Sequence, residues 1–583
     1  MERTSAVKHL LTHLRAYRRD CVMAPLFKML EAIFELFVPL VVAAIIDRGI
    51  EGGSRPVVWQ MCGLLAALGV IGLICAVTAQ YFAARAAVGS AAGLRSALFA
   101  HIQSLSYTDL DRLGTSGLIT RMTADVNQVQ SGVNLVLRLF LRSPFIVFGA
   151  MIMAFTIDVS AALIFVVVIP VLSAIVFGIM CWSIPRFREI GTRLDSVLGI
   201  TRENLSGVRV IRAFGREDAE NDDFDGRNGA LTSLQLHVGR ISALMNPLTY
   251  AVINLAVIAL VQTGAVQVNE GILTQGQVVA LYNYMSQILV ELIKLANLII
   301  TINKSLACAG RIDRVFAVSP APAGGNGCST EDPSAPAVEF RDVSFTYDGA
   351  AAPSLSHLTL RVGRGETVGI IGATGAGKST LCHLIPGFYH ATEGQVLVNG
   401  TDVREYDPAA LREKIGMVPQ KAMLFAGTVR DNLLWGKREG KPADDAALNE
   451  ALSLAQAKAF IDEKEGGLDF VIEQNGRNLS GGQRQRLTIA RALVGRPEII
   501  ILDDSASALD YATDAALRKS LGTLSPESTV FIISQRASSL RHADQIVVLE
   551  DGEVAGIGPH EELLKTCPVY AEIYRSQFEE EDN

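Results

Sequence analysis

A bundle of six membrane-spanning helices followed by an α/β domain with a phosphate-binding loop is the fold class predicted here, on three observations. Hydrophobic residues make up 49% of the 583-residue chain and charged residues 19%, too apolar a balance for an ordinary soluble protein. That apolarity is uneven, falling on residues 20–310. Beyond it, the Gly-rich turn Gly372-Ala-Thr-Gly-Ala-Gly-Lys378-Ser379-Thr380 follows a strand-like run, and the apolar run Ile499–Leu502 ends in Asp503 and Asp504. Such a length holds two full cores.

A membrane span needs about 20 mainly apolar residues. Segments 22–46, 57–84, 133–155, 159–184, 243–263 and 277–305 meet that length. A polar turn, Asp47–Gly53, separates the first two, and Thr156-Ile157-Asp158 makes a tight hairpin between the third and fourth. Gly264 to Gly276 joins the fifth and sixth and holds no Lys or Arg. The long connections, 85–132 and 185–242, are rich in arginine, so they and both termini are expected in the cytoplasm. In the second of these, Leu194, Val197, Leu198, Leu205, Val208 and Ile211 recur at helical spacing, so the spans are expected to run on into the cytosol as helices. Each long connection needs a reversal, expected at Tyr107–Gly114 and Ile211–Glu217. The N-terminus has no small-residue cleavage site after a short apolar core, which makes the first helix the insertion signal.

Ionisable residues inside spans are costly and call for a role. They are Glu31 and Glu35 in the first, Arg138 and Arg142 in the third, and Glu291 and Lys294 in the sixth. Lys28 stands three residues before Glu31 as a possible partner, and Lys294 three after Glu291. The eight cysteines (21, 62, 75, 181, 308, 328, 382 and 567) show no metal-ligand spacing. A formal net charge of −8 argues against a nucleic-acid partner held on a broad basic surface.

In the C-terminal half, residues 319–336 are a Pro/Gly/Ser-rich connector, and strand alternation begins at Val338. Strand, Gly-rich turn and helix is the context that confirms a phosphate loop. Backbone amides of Gly372, Ala373, Thr374, Gly375, Ala376 and Gly377 can approach phosphates, and the helix beginning at Lys378, Ser379 and Thr380 adds its positive end. Lys378 is expected on the β- and γ-phosphates of ATP, with the Ser379 hydroxyl and Asp503 on Mg²⁺.

Other stretches carry a resemblance. Gly117-Leu-Ile-Thr-Arg121-Met-Thr-Ala-Asp125 and Glu203-Asn-Leu-Ser-Gly-Val-Arg-Val-Ile-Arg-Ala-Phe-Gly-Arg-Glu-Asp218 resemble the two intracellular loops of ATP-binding cassette (ABC) exporters. Leu479-Ser480-Gly481-Gly482-Gln483 matches their signature, Gly416-Met-Val-Pro-Gln420 their glutamine loop, and Ser507-Ala-Leu-Asp510 the loop between sites. The resemblance implies short coupling helices docked on nucleotide domains near 105–115 and 209–218. It implies an aromatic, Tyr347, stacked on adenine, and Gln420 within reach of Mg²⁺ or the attacking water. It also implies that Ser480, Gly481, Gly482 and Gln483 serve the γ-phosphate of ATP held by an opposing cassette.

Two positions depart from the family pattern. Asp504 stands where a Glu handles the attacking water, and Gln535 where a switch His belongs. Asp is a methylene shorter than Glu, a shortfall of roughly 1 Å that can cost about 10²-fold in rate. Gln can donate a hydrogen bond but carries no positive charge. The resemblance is therefore to the degenerate-site half of heterodimeric bacterial multidrug ABC exporters, and its implied partner is a second half-transporter that supplies Glu and His.

The expected order is a cytoplasmic segment (1–21), a transmembrane domain (22–312), a linker (313–336), a nucleotide-binding domain (337–575) and an acidic tail (576–583). The expected activity is ATP-driven export of an amphipathic or lipophilic small molecule from a cell membrane. Its own ATP site is expected to be slow, with Asp504, Gln535 and the lent Ser480 as the catalytic groups. Siderophore import on the same architecture and a regulatory ATP-binding membrane protein are the competing readings.

Overall fold

The computed structural model describes residues 11–320, 334–505, 508–524 and 528–578. Ser507, Cys328, Lys8, the middle of the expected linker and the end of the acidic tail lie outside them. The chain forms two compact units, Met1–Gln103 with Gly114–Ser319, and Ser104–Leu113 with Pro320–Asn583.

Among the described residues of the first unit six helices are long and apolar enough to cross a membrane: α1 (Leu11–Glu51), α2 (Arg55–Gln103), α4 (Thr115–Ile157), α5 (Val159–Ala213), α6 (Glu217–Asn269) and α7 (Gln275–Phe316). Several run far past the 30 Å of a bilayer core, as the arginine-bearing helical pattern predicts. Buried Ala150, Ala154, Ala161 and Ala162 let backbones approach closely, as spans packed in lipid require. Phe165, Leu260 and Ile288 fill the space beside them, and the buried Tyr284 hydroxyl donates to the Leu36 carbonyl at 2.6 Å. Leu73, Ile74 and Val77 of α2 stay exposed, a face suited to lipid.

One proline sets an irregularity. Pro144 has no N–H to offer the Phe140 carbonyl, so regular helix stops at Leu139 and resumes at Arg142, which kinks α4. The join between the fifth and sixth spans is shorter than expected, because helix continues through Gly264 to Asn269. Gly264 belongs to the packed interface, where a Cβ would come within 2.8 Å of the Val278 side chain.

The short reversals are tied together at one end. Asp158 caps α5 by accepting from Ala161 N at 2.7 Å and also takes a bond from Gln267 at 3.1 Å. Asp47, after the first span, accepts from Thr274 Oγ1 at 2.6 Å and Gly276 N at 2.7 Å. At the other end, α5 and α6 reverse through Phe214-Gly215-Arg216, a turn with no separate helix of its own. The reversal after α2, by contrast, is a discrete helix, α3 (Tyr107–Leu113).

The described residues of the second unit form, with other helices, α3 and twelve strands. β1 (Val338–Phe345), β2 (Leu355–Val362), β4 (Glu393–Val398) and β5 (Thr401–Asp402) form an antiparallel sheet in the order β2-β1-β4-β5. β7 (Gly427–Thr428) pairs with β8 (Val471–Ile472). The central sheet runs β12-β11-β3-β10-β9-β6, from β3 (Thr367–Gly372), β6 (Ile415–Val418), β9 (Ile499–Asp503), β10 (Thr529–Ile533), β11 (Gln545–Glu550) and β12 (Glu553–Gly558). All but the β11–β12 pair are parallel. Every residue of β9 is buried, as its unbroken apolar run requires of a strand covered on both faces. The parallel register sets Ile533 beside both Ile370 and Asp503, so three strands deliver their carboxyl ends to one edge. In open α/β sheets that edge is where ligands bind.

Candidate nucleotide-binding site

At that edge β3 turns through the Gly-rich loop into α8 (Lys378–Leu384). Gly377 must be glycine: its φ is +90°, and a Cβ would sit 2.5 Å from the Ser354 carbonyl. The loop curls around its own lysine, whose Nζ donates to the carbonyls of Gly372 (2.8 Å) and Ala373 (2.6 Å). Burial pulls the Lys378 ammonium below its ordinary range, and the charges of Asp504 and Asp503 pull it back up. Ser379 Oγ donates to Asp503 Oδ1 at 3.0 Å.

Burial pushes the Asp503 carboxyl up, against Ser379, His383 and Lys378, which favour its charged form. Asp504 is also pushed up, first by burial and then by the adjacent Asp503 charge. Its φ of +45° places it in the left-handed region, where Asp is tolerated better than bulky residues yet still carries strain. The Gln420 side chain hydrogen-bonds Asp504, and Arg536 contributes favourable charge. The loop, Lys378, Ser379, Gln420, Asp503 and Asp504 therefore form one cluster. A hydroxyl beside a carboxylate is a hard-oxygen donor pair, the kind that suits Mg²⁺, and the amide-lined loop suits a phosphate chain. These residues fit Mg²⁺ and ATP.

Of three further expected residues, one touches that cluster at Thr380 and two stand apart from it. Tyr347 is half-buried, packed edge-on against Phe345 (4.8 Å between centroids) and Tyr389 (5.2 Å), with its hydroxyl 3.2 Å from Thr380 Oγ1. Gln535 is exposed, and its carbonyl accepts from Gln577 Nε2 at 2.7 Å. Ser480 is exposed at the head of α9 (Gly481–Leu493) in a capping box: its Oγ accepts from Gln483 N at 3.3 Å, while Gln483 Oε1 accepts from Ser480 N at 3.0 Å. Among the described residues no hydrogen bond joins this turn to the phosphate loop. Gly482 instead lies against the Ala508 carbonyl.

Other residues at the site were not singled out from sequence. His383 Nε2 is 4.0 Å from Asp503 Oδ2, and its ring lies within 6.1 Å of both Phe388 and Tyr389. Burial pulls His383 down and outweighs the upward pull of Asp503 and Asp111. Phe388 stacks on Tyr107 of α3 at 4.4 Å, and the Tyr389 hydroxyl donates to Asp111 of α3 at 2.6 Å. Tyr389 thus touches Tyr347, His383 and α3 together. Its only sequence signal was an aromatic pair after α8, which carries no chemistry by itself. Arg536 had a signal in standing next to Gln535.

Residues 21–292 match the family model described as the ABC transporter transmembrane region, and residues 355–507 match the one described as ABC transporter. The chain is 37% identical to an uncharacterised ABC transporter ATP-binding protein of Mycobacterium tuberculosis, over 97% of each chain. It is 28% identical to an ATP-dependent lipid A-core flippase of Vibrio vulnificus, over 98% of each. A solved ATP-bound bacterial Atm1-family ABC exporter superposes with a TM-score of 0.77 at 24% identity, covering 96% of this chain and 98% of that one, a likeness of fold.

Proposed function

Because this chain belongs to the ABC transporter family, with membrane region and ATP-binding cassette on one polypeptide, we propose that it is half of a heterodimeric exporter. Its cargo in this reading is an amphipathic or lipophilic small molecule, moved by ATP-driven alternating access. The relative that moves lipid A-core supports a lipophilic cargo.

One observation carries the heterodimer. The exposed signature turn at Ser480 has intact chemistry but, among the described residues, no bond to the phosphate loop of its own cassette, whose hydrolytic positions hold Asp504 and Gln535. A second cassette facing this one would receive Ser480 and return its own signature to Lys378. Of the two composite sites, the one on this chain's phosphate loop holds ATP and turns it over slowly. The other depends on the partner's Glu and His.

The chemistry this chain supplies follows from its geometry. The loop amides and Lys378 bind the phosphates and disperse their charge. Mg²⁺, when bound, neutralises phosphate charge, and Ser379 and Asp503 would hold it. Asp504, drawn towards Gln420, is poorly placed to take a proton from water. In the reading adopted here both termini face the cytoplasm, and α3 and the turn at Phe214 transmit cassette closure to the spans.

Affinity purification of the native complex tests the assembly: a second half-transporter carrying Glu and His should co-purify in equal amount. Substrate accumulation in inverted vesicles tests direction. A homodimer in the first experiment, or depletion in the second, overturns the corresponding claim.

A further inference from the structure

Within the first unit six ionisable side chains from three spans join into one chain of contacts. Lys28 bonds Glu31 at 2.5 Å; Arg142 reaches Glu35 at 2.6 Å, Glu291 at 2.6 Å and Glu31 at 3.9 Å; Lys294 bonds Glu291 at 2.8 Å. Ser143 completes the shell of Glu291 at 2.8 Å. Three carboxylates meet three cations, so the network is formally neutral. The kink at Pro144 starts the second half of α4 at Arg142, whose side chain is 7% exposed.

The centre of this network is closed, as is its end at Lys28, while its other two ends are open. Glu291 is 3% exposed along its side chain, whereas Glu35 is 38% and Lys294 42% exposed. Both open ends line a single pocket of about 400 Å³ between α1 and α7. Each keeps unused capacity: among the described residues one Glu35 oxygen accepts no bond, and the Lys294 ammonium has two more N–H groups. On the same wall, the buried Gln287 side-chain oxygen has no hydrogen-bond partner among the described residues. Val38 and Pro39 make part of the rest apolar.

We propose that this pocket binds the headgroup of a zwitterionic compound, its ammonium on Glu35 and its anionic group on Lys294. As the identity of a cargo this rests on the export reading above; as a binding site it does not. The physical reason is charge balance. Inside a span an unbalanced charge is expensive even when one partner is near. A singly charged ligand would bring one into an already neutral network and leave the opposite end unanswered. A zwitterion adds none and satisfies both ends. A purely structural ion-pair network has no need of two half-exposed termini facing the same pocket or of an orphaned acceptor beside them.

The test measures binding to the purified full-length protein, with any co-purifying half, in a non-ionic maltoside detergent without nucleotide. The probes are lysophosphatidylethanolamine (zwitterionic), dodecyl methyl phosphate (a singly charged anion) and dodecylamine (cationic), with the dipeptide leucyl-leucine as a soluble zwitterion. Wild type should hold the zwitterionic lipid at least about tenfold more tightly than either singly charged probe. Glu35→Gln should turn the preference towards dodecyl methyl phosphate, and Lys294→Met towards dodecylamine. Binding of leucyl-leucine as well would extend the class to soluble zwitterions; binding of the lysolipid alone would restrict it to lipids. A singly charged probe matching the zwitterion on wild type overturns the proposal, whatever the folding of the variants. Equal weakening of all probes in both variants overturns it too, by showing a packing role. Because no nucleotide is present, failure here leaves ATP-driven export standing, and failure of vesicle transport leaves this site standing.

Discussion

Asp504 combines a left-handed backbone, a raised carboxyl and a hydrogen bond from Gln420. If its short side chain limits hydrolysis, Asp504→Glu together with Gln535→His should speed single-turnover hydrolysis at this chain's site, by up to about 10²-fold. Ser480→Ala should lower steady-state ATPase of the assembled complex more than Asp504→Asn does, measured on matched preparations. Asp503 yields a prediction about stability. A carboxyl whose folded pKa is raised contributes stability when protonated, and that contribution is lost as pH rises through the raised value. At neutral pH its charge therefore weighs against the folded, nucleotide-free protein. Asp503→Asn should raise the unfolding temperature at pH 7, with the gain shrinking as pH falls towards the ordinary carboxyl value of 3.8. Fluorescence melting curves at several pH values check this. The motif residues themselves were legible because phosphate and Mg²⁺ chemistry is written in contiguous stretches. The network around Arg142 was only half legible: the Lys28–Glu31 and Glu291–Lys294 pairs follow from helical spacing, but the bonds across spans depend on packing that no local pattern encodes.

At the scale of elements, α3 bears on the cassette aromatics through the Tyr107–Phe388 stack and the Tyr389–Asp111 bond. Tyr389 also touches the aromatic expected to meet adenine and the histidine beside Asp503. A stacked aromatic pair is worth about 0.5–1.5 kcal/mol beyond its buried area. Tyr107→Ala should therefore uncouple the protein, lowering transport several-fold more than ATP turnover when both are read in the same vesicles. Equal losses would place Tyr107 in cassette stability alone. The sequence pattern located a reversal at Tyr107–Gly114 but could not tell a helix from a turn, and the matching reversal at Ile211–Glu217 is a turn. Seven residues give too little periodicity to decide; the aromatic ring waiting at Phe388 does.

At the scale of the whole molecule, six spans followed by a cassette were legible from hydropathy and the phosphate loop, because both signals are long or specific. The ends of the helices were less so: composition cannot distinguish Gly264 as a packing residue from Gly264 as a turn. The chain purified alone should show little ATPase, and co-expression with a half-transporter carrying Glu and His should restore it severalfold. Rapid Lys378-dependent turnover by the lone chain would contradict that. The two hydrogen bonds that Asp47 accepts, from Thr274 and Gly276, have a further consequence: together they form one tie. It fastens the first reversal to the head of the last span, and spreading the bundle there must first undo both bonds, about 1–3 kcal/mol together. That pair of bonds acts as a bolt on one door: it favours the shut state at this end by a factor of about 5 to 150, a bias light enough for thermal motion to slip open now and then and for a binding event elsewhere to reverse.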